Sequence, residues 1–124
     1  RMCSLVKSPK EILKGILETD GVKAVMISGR DGLIISSVGT IDADTETLGA
    51  IASSGLGSSE ALGTEAGIGE LEQFISQYKS GIAIIQLVTS EAVLLLLATK
   101  DANLGMLRLA INKAKKPLMD ILSY

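Results

Sequence analysis

Carboxylates are the groups in this sequence best placed to do chemistry. Glu70 and Glu72 stand two apart in a run, Glu70 to Tyr78, that reads as a strand. A strand would turn both carboxylates to one face, the arrangement used in general acid–base chemistry. No third group joins them, and a solvated strand edge accounts for the pair. Histidine, the commonest general base and metal ligand near neutral pH, is absent. Ser-His-Asp, Cys-His and His-rich metal arrangements are therefore excluded. The one cysteine, Cys3, can form no internal disulfide and has no visible catalytic partner.

Gly67-Ile68-Gly69 matches half of a phosphate-binding glycine loop. It precedes a strand where such a loop leads into a helix, and no Lys-Ser/Thr ending follows, so it marks a loop only. Gly29-Arg30-Asp31-Gly32 carries the residues of a tight turn, and the turn alone explains them. Lys113, Lys115 and Lys116 fall late in a C-terminal helical pattern, where positive charge complements the helix dipole and a solvated basic face is expected. These residues define no catalytic, cofactor-binding or metal site.

The elements that would position them follow from pattern. Ser8-Pro9-Lys10-Glu11 has the form of a capping box, and Ile12, Leu13, Ile16 and Leu17 then share one face, predicting a helix that ends near Asp20-Gly21. Val22 to Ser28 and Leu33 to Val38 are β-branched runs joined by the 29–32 turn. Asp42 and Asp44 are candidate caps for a helix from Thr45 to Ala66, whose C-terminal end, rich in glycine, is expected to fray. Glu70 to Tyr78, Gly81 to Thr89 and Ala92 to Thr99 make a three-strand meander, the last run apolar on both faces as a central strand would be. Asn103 caps a final helix along the seam Leu104, Leu107, Ile111, Ala114, Leu118 and Ile121, with Pro117 kinking it or marking its last turns. The order is α-β-β-α-β-β-β-α: an α+β fold with a five-stranded antiparallel sheet and helices on both faces.

A chain of 124 residues, 47% apolar and 21% charged, suits a single folded domain over residues 1–124, with 1–7 as a flexible lead. Its longest apolar stretch, Ala92 to Ala98, is far short of the roughly 20 residues of a membrane span. The opening Arg1-Met2-Cys3 introduces no apolar secretion segment, so a cytoplasmic location is expected. A net charge of −2 and only Phe74, Tyr78 and Tyr124 as aromatics argue against nucleic acid as partner.

The middle helix is the anomaly. Opposite an apolar stripe of Leu48, Ile51, Ala52 and Leu62 it carries Ala50, Ser53, Ser54, Gly57, Ala61 and Thr64, where a solvated helix would carry Lys and Glu. Its only charges are Glu46, Glu60 and Glu65. An uncharged second face on a helix already packed to its own sheet predicts burial by another chain, and the nearest candidate is a second copy.

With these features the sequence resembles the Roadblock/LC7 domain, including the MglB-like regulators of small GTPases. The resemblance rests on the element order, on GRDGLIISS from Gly29 to Ser37, on the glycine- and serine-rich middle helix, and on NLGMLRLAINKA from Asn103 to Ala114. It covers Ser8 to Leu122. It implies a profilin-like sandwich whose middle helices pair across a two-fold axis while the Glu70–Tyr78 strands join edge to edge. It further implies a homodimer without catalytic groups, cofactor or metal, acting on a Ras-like GTPase. The alternative is a scaffold or cargo adaptor of dynein light chain type that leaves nucleotide hydrolysis unchanged. The expected dimer and partner interface comprises Glu46, Ala50, Ser53, Ser54, Gly57, Ser58, Glu60 and Ala61 on the helix and Glu72, Phe74 and Ser76 on the strand. The resemblance gives neither Arg30 nor Arg108 the role of an arginine finger.

Overall fold

Ser8 and Glu11 close the first helix start reciprocally. The Ser8 hydroxyl accepts from the Glu11 amide at 3.2 Å, and the Glu11 carboxylate accepts from the Ser8 amide at 2.8 Å. The computed structural model describes residues 7–122, and the expected flexible lead falls outside them apart from Lys7. Its order is α1 (Pro9–Leu17), β1 (Val22–Gly29), β2 (Ile34–Gly39), α2 (Thr45–Ala66), β3 (Gln73–Tyr78), β4 (Gly81–Thr89), β5 (Ala92–Ala98) and α3 (Leu104–Leu122).

The five strands form one antiparallel sheet ordered β2-β1-β5-β4-β3. The all-apolar β5 is central, as its lack of polar alternation predicts. In the β4–β5 register Ile84 stands opposite Leu96 and Ile85 opposite Leu95, which sorts their side chains to the two faces. One face is covered by α1 and α3. Leu13 and Ile16 from α1, and Leu107, Ile111 and Leu118 from α3, pack there on Val25, Ile27, Ile84, Leu94 and Leu96. On the other face α2 packs through Ala52 against Met26 and Leu95.

Several boundaries differ from expectation. α1 stops at Leu17, where the Thr19 amide bonds the Ile16 carbonyl and the Val22 amide bonds the Thr19 carbonyl, turns that lead into β1. β2 begins one residue later than the apolar run, and β5 ends at Ala98. β3 begins at Gln73, so Glu70 and Glu72 lie ahead of it and do not share a strand face. The buried Gln86 stands opposite the first residue of β3. Its side-chain amide donates to the carbonyls of Glu72 and Leu87, both at 2.9 Å, and its oxygen accepts from Gln73. The Leu87 amide also donates to the Glu72 carbonyl, at 3.1 Å, so these side-chain bonds add to the backbone contact at the start of β3.

The C-terminal end of α2 is closed, not frayed. Gly67 adopts φ +69°, its amide returns to Gly63 and Thr64, and the Ile68 amide bonds the Gly63 carbonyl at 3.0 Å. At its other end the Asp44 carboxylate accepts from the Glu46 amide. α3 continues through Pro117 to Leu122.

Candidate protein-binding surface

α2 turns two glycines, an alanine and one large residue, Leu56, inward. Gly49, Ala52, Leu56 and Gly63 are buried, at spacings that keep them on one side of the helix. A Cβ at Gly49 would lie 2.9 Å from the Gly32 carbonyl oxygen, and one at Gly63 would lie 2.5 Å from that of Gly69. Beside Gly49 and Ala52 the strands supply the bulk, from Met26, Ile34 and Leu95, whereas Gly63 is closed by the loop that follows the helix. Helix orientation thereby differs from the apolar stripe expected from sequence. Leu48 is half-buried and Ala52 is inward, but Ile51 and Leu62 point away and are 61% and 65% exposed. Ala50, Ser54, Gly57, Ser58 and Ala61 are exposed with them, and Glu46 is exposed near the helix start.

Ser53 and Glu60, two of the interface candidates, are half-buried and committed within the chain. The Ser53 hydroxyl donates to the Arg30 carbonyl. Arg30 donates from both terminal nitrogens to the Glu60 carboxylate, at 3.0 and 2.5 Å. The Arg30 amide also reaches the Glu91 carbonyl. The 29–32 turn is thus fastened to α2 and to the β4–β5 turn, where the sequence suggested only a tight turn. Its Arg30 is the partner that sequence separation concealed.

The Arg30 hydrogen bonds hold the Glu60 carboxyl below its ordinary range, and the same contact raises Arg30. Their side chains remain 31% and 35% exposed, so solvent weakens the pair and its main effect is to position the turn. A carboxyl with a lowered folded-state pKa stabilises above its unfolded value, about 4.3, and that contribution disappears as pH falls through the folded value. Denaturant unfolding of the parent chain and Glu60→Gln should therefore show a stability gap at neutral pH that closes as the solution is acidified. A gap constant down to pH ~2 would mean that the pair carries no linkage.

On the α2 side of the sheet the cover is incomplete. α2 lies over β1, β2 and β5. Along β4 the residues facing α1 and α3 are buried, whereas Ala83, Ile85 and Leu87 on the opposite face are only half-buried. β3 adds Phe74, exposed, and Ser76, half-buried, beside Ile85 and Ala83. Glu72 is exposed just ahead of this edge strand. The outward side of α2 and the uncovered β4–β3 half of the sheet therefore share one side of the molecule.

An open cleft of about 860 Å³ borders this side, lined in part by Arg30, Glu60, Gly67, Glu72 and Lys115. Gly67 and Ile68 spend their amides on helix carbonyls, which leaves no phosphate cradle of the glycine-loop kind at this turn. Ile51 and Leu62 are the surface residues that sequence reasoning assigned to the core. The signal available was the recurrence of Gly49, Ala52, Leu56 and Gly63 along one helical face.

Three helices on a five-stranded antiparallel sheet, two on one face and one on the other, define a sandwich of the profilin type. The solved profilin II of Acanthamoeba castellanii has this fold, with a TM-score of 0.68 at 15% identity, covering 92% of this chain and 98% of the other. More specifically, residues 9–98 match the Roadblock/LC7 domain, and the chain belongs to that family. It is 32% identical over 107 residues to an uncharacterised protein of Methanocaldococcus jannaschii, covering 86% of this chain and 93% of that one. Its fold matches a Roadblock/LC7 domain of Streptomyces avermitilis with a TM-score of 0.87 at 18% identity, covering 95% of this chain and all of the other. Myxococcus xanthus MglB matches with a TM-score of 0.85 at 23% identity, covering 91% and 86% of the two chains.

Proposed function

We propose that this chain is a homodimeric, non-catalytic docking module that regulates a Ras-like small GTPase. The carrying observation is the incomplete cover on the α2 side, where exposed Ile51 and Leu62 lie on the same side as the half-buried β4 face and the β3 edge. A second copy approaching there would cover apolar surface on the helix and pair an edge strand that is otherwise open to solvent. Ala50, Ser54, Gly57, Ser58 and Ala61 permit close approach of another helix, and Glu46, Phe74, Ser76 and Glu72 flank the contact. Ser53 and Glu60 support the platform from behind by anchoring the Arg30 turn. Such a platform acts on a GTPase by positioning the GTPase's own catalytic groups and needs no nucleophile or base of its own.

Two measurements test this. Light scattering across a dilution series should give twice the chain mass, and Gly57→Arg should reduce both that mass and GTPase binding. GTP hydrolysis by a panel of Ras-like GTPases, with and without this protein, should change for the cognate member. Binding at an unchanged rate of hydrolysis and exchange would support the scaffold or cargo adaptor instead. A monomer throughout the series would sink the homodimer.

A further inference from the structure

β3 opens on a hydrogen bond that the chain leaves unmade. The side-chain oxygen of Gln73 is buried and has no hydrogen-bond partner among the described residues. Its neighbour fixes which atom is left over. The Gln86 amide nitrogen is taken by the Glu72 and Leu87 carbonyls, so Gln86 presents its oxygen to the Gln73 nitrogen, at 2.9 Å, and the Gln73 oxygen remains. A buried acceptor without a donor is uncommon in a native fold. Gln73 stands on the open edge of the sheet and is itself only half-buried, so a turn about its terminal bond carries the oxygen toward whatever pairs with that edge.

The two edges of the sheet differ. β2 is broken by a bulge at Ile35, between the Ile27–Ser36 and Ser28–Ile34 pairs, and closes on Gly39 at φ +94°, which blunts it against further pairing. β3 runs from Gln73 to Tyr78 in unbroken register, with no charged residue, proline or glycine to guard it. The Leu87 amide bonds the Glu72 carbonyl, which makes residue 72 a bonded partner of β4. By alternation residues 74, 76 and 78 also bond β4, and Gln73, Ile75 and Gln77 turn their amides and carbonyls outward. These three share the α1–α3 face, since Ile75 packs into that core and Gln73 bonds Gln86. Gln-x-Ile-x-Gln reads the same in both directions about Ile75. A two-fold contact needs such self-complementarity, because one segment is used twice in opposite directions.

We propose that two copies join β3 to β3, antiparallel and in a register centred on Ile75, and that the partner's Gln77 donates to the unpaired Gln73 oxygen. This rests on the homodimer proposed above and specifies its seam. Only this register brings all three outward residues into pairs, Ile75 with the partner's Ile75 and Gln73 with the partner's Gln77. Moving the axis by one residue leaves a glutamine outside the paired strand. In a bonded antiparallel pair the Cα atoms lie about 5.5 Å apart with side chains on one face, within reach of two glutamine amides. Gln77 is exposed in the isolated chain, so its amide is available. Beyond the strand ends the partner's Lys79 comes level with Leu71, between Glu70 and Glu72, and opposite charges meet at each end of the seam.

Single cysteines at positions 73 to 77, in a Cys3→Ser background, locate the axis, with light scattering reporting the mass of each variant. Under mild oxidation Ile75→Cys should crosslink to itself most efficiently, because only there do two copies of one position come within disulfide reach. Gln73→Cys and Gln77→Cys chains should each stay uncrosslinked alone and crosslink when mixed, an arm that leaves Ile75 in place. Gln77→Met removes the donor without adding charge and should weaken self-association about tenfold, at unchanged thermal stability of the dilute monomer. A dimeric mass with self-crosslinking strongest at Phe74→Cys or Ser76→Cys, or at no position on the strand, would overturn this register and leave the homodimer standing. Association of Gln77→Met as tight as the parent's would overturn the glutamine pairing. A monomeric parent would remove homodimer and seam together.

Discussion

If the parent chain pairs as proposed, Leu62→Arg, alone or with Ile51→Arg, is expected to run as a monomer at concentrations where the parent runs as a dimer. Both side chains are more than half exposed in the isolated chain, so the substitutions remove nothing from its own core. Their cost falls on association. Each buried leucine or isoleucine contributes about 2 kcal/mol, and a two-fold interface counts every substitution twice. Leu62→Arg should therefore cost about 4 kcal/mol, or roughly a thousandfold in Kd, before any penalty for the introduced charges. Sedimentation or light scattering over a dilution series measures the loss, and thermal unfolding of the dilute monomer checks that the fold survives. If Leu62→Arg stays dimeric, the pairing does not use the outward side of α2, and the β3 edge becomes the contact to test.

This expectation exists because the orientation of α2 was the least legible part of the sequence. Local chemistry announced the elements well: the Ser8–Glu11 capping box, the turn residues at 29–32 and the two-residue turns of the meander all do what their types suggest. The span of α2 from Thr45 to Ala66 was legible too. Its inward face was not, because pattern reading assigns the largest apolar residues to the interior. Here the sheet supplies bulk through Met26, Leu95 and Leu97, and α2 turns Gly49 and Ala52 inward along with the fully buried Leu56. The same limit applies to Arg30 and Glu60. They lie 30 residues apart, and nothing in either local sequence announces the other. The start of β3 was missed because nothing in the residue types from Glu70 to Tyr78 marks Gln73 as the point where the ladder begins.

The glycines of α2 should divide into two classes when replaced by alanine. At Gly63 the added methyl would lie 2.5 Å from a backbone oxygen of the loop that closes the helix. No side chain can swing aside to relieve that contact, so helix or loop must move. The expected loss is about 2 kcal/mol, despite the better helix propensity of alanine. At Gly57 nothing within 4 Å would meet the methyl, and the chain's own fold should gain up to about 1 kcal/mol. Unfolding of the two variants at low concentration would then move in opposite directions, Gly63→Ala by roughly 8 °C downward and Gly57→Ala by a few degrees upward. Gly57 is thus a weak helix former that intrachain packing does not require, and the proposed pairing, with its close approach of a second helix, would supply a reason for it. On that account Gly57→Ala, while stabilising the monomer, should weaken self-association. A variant that gained stability and associated as tightly as the parent would leave Gly57 unexplained by either contact.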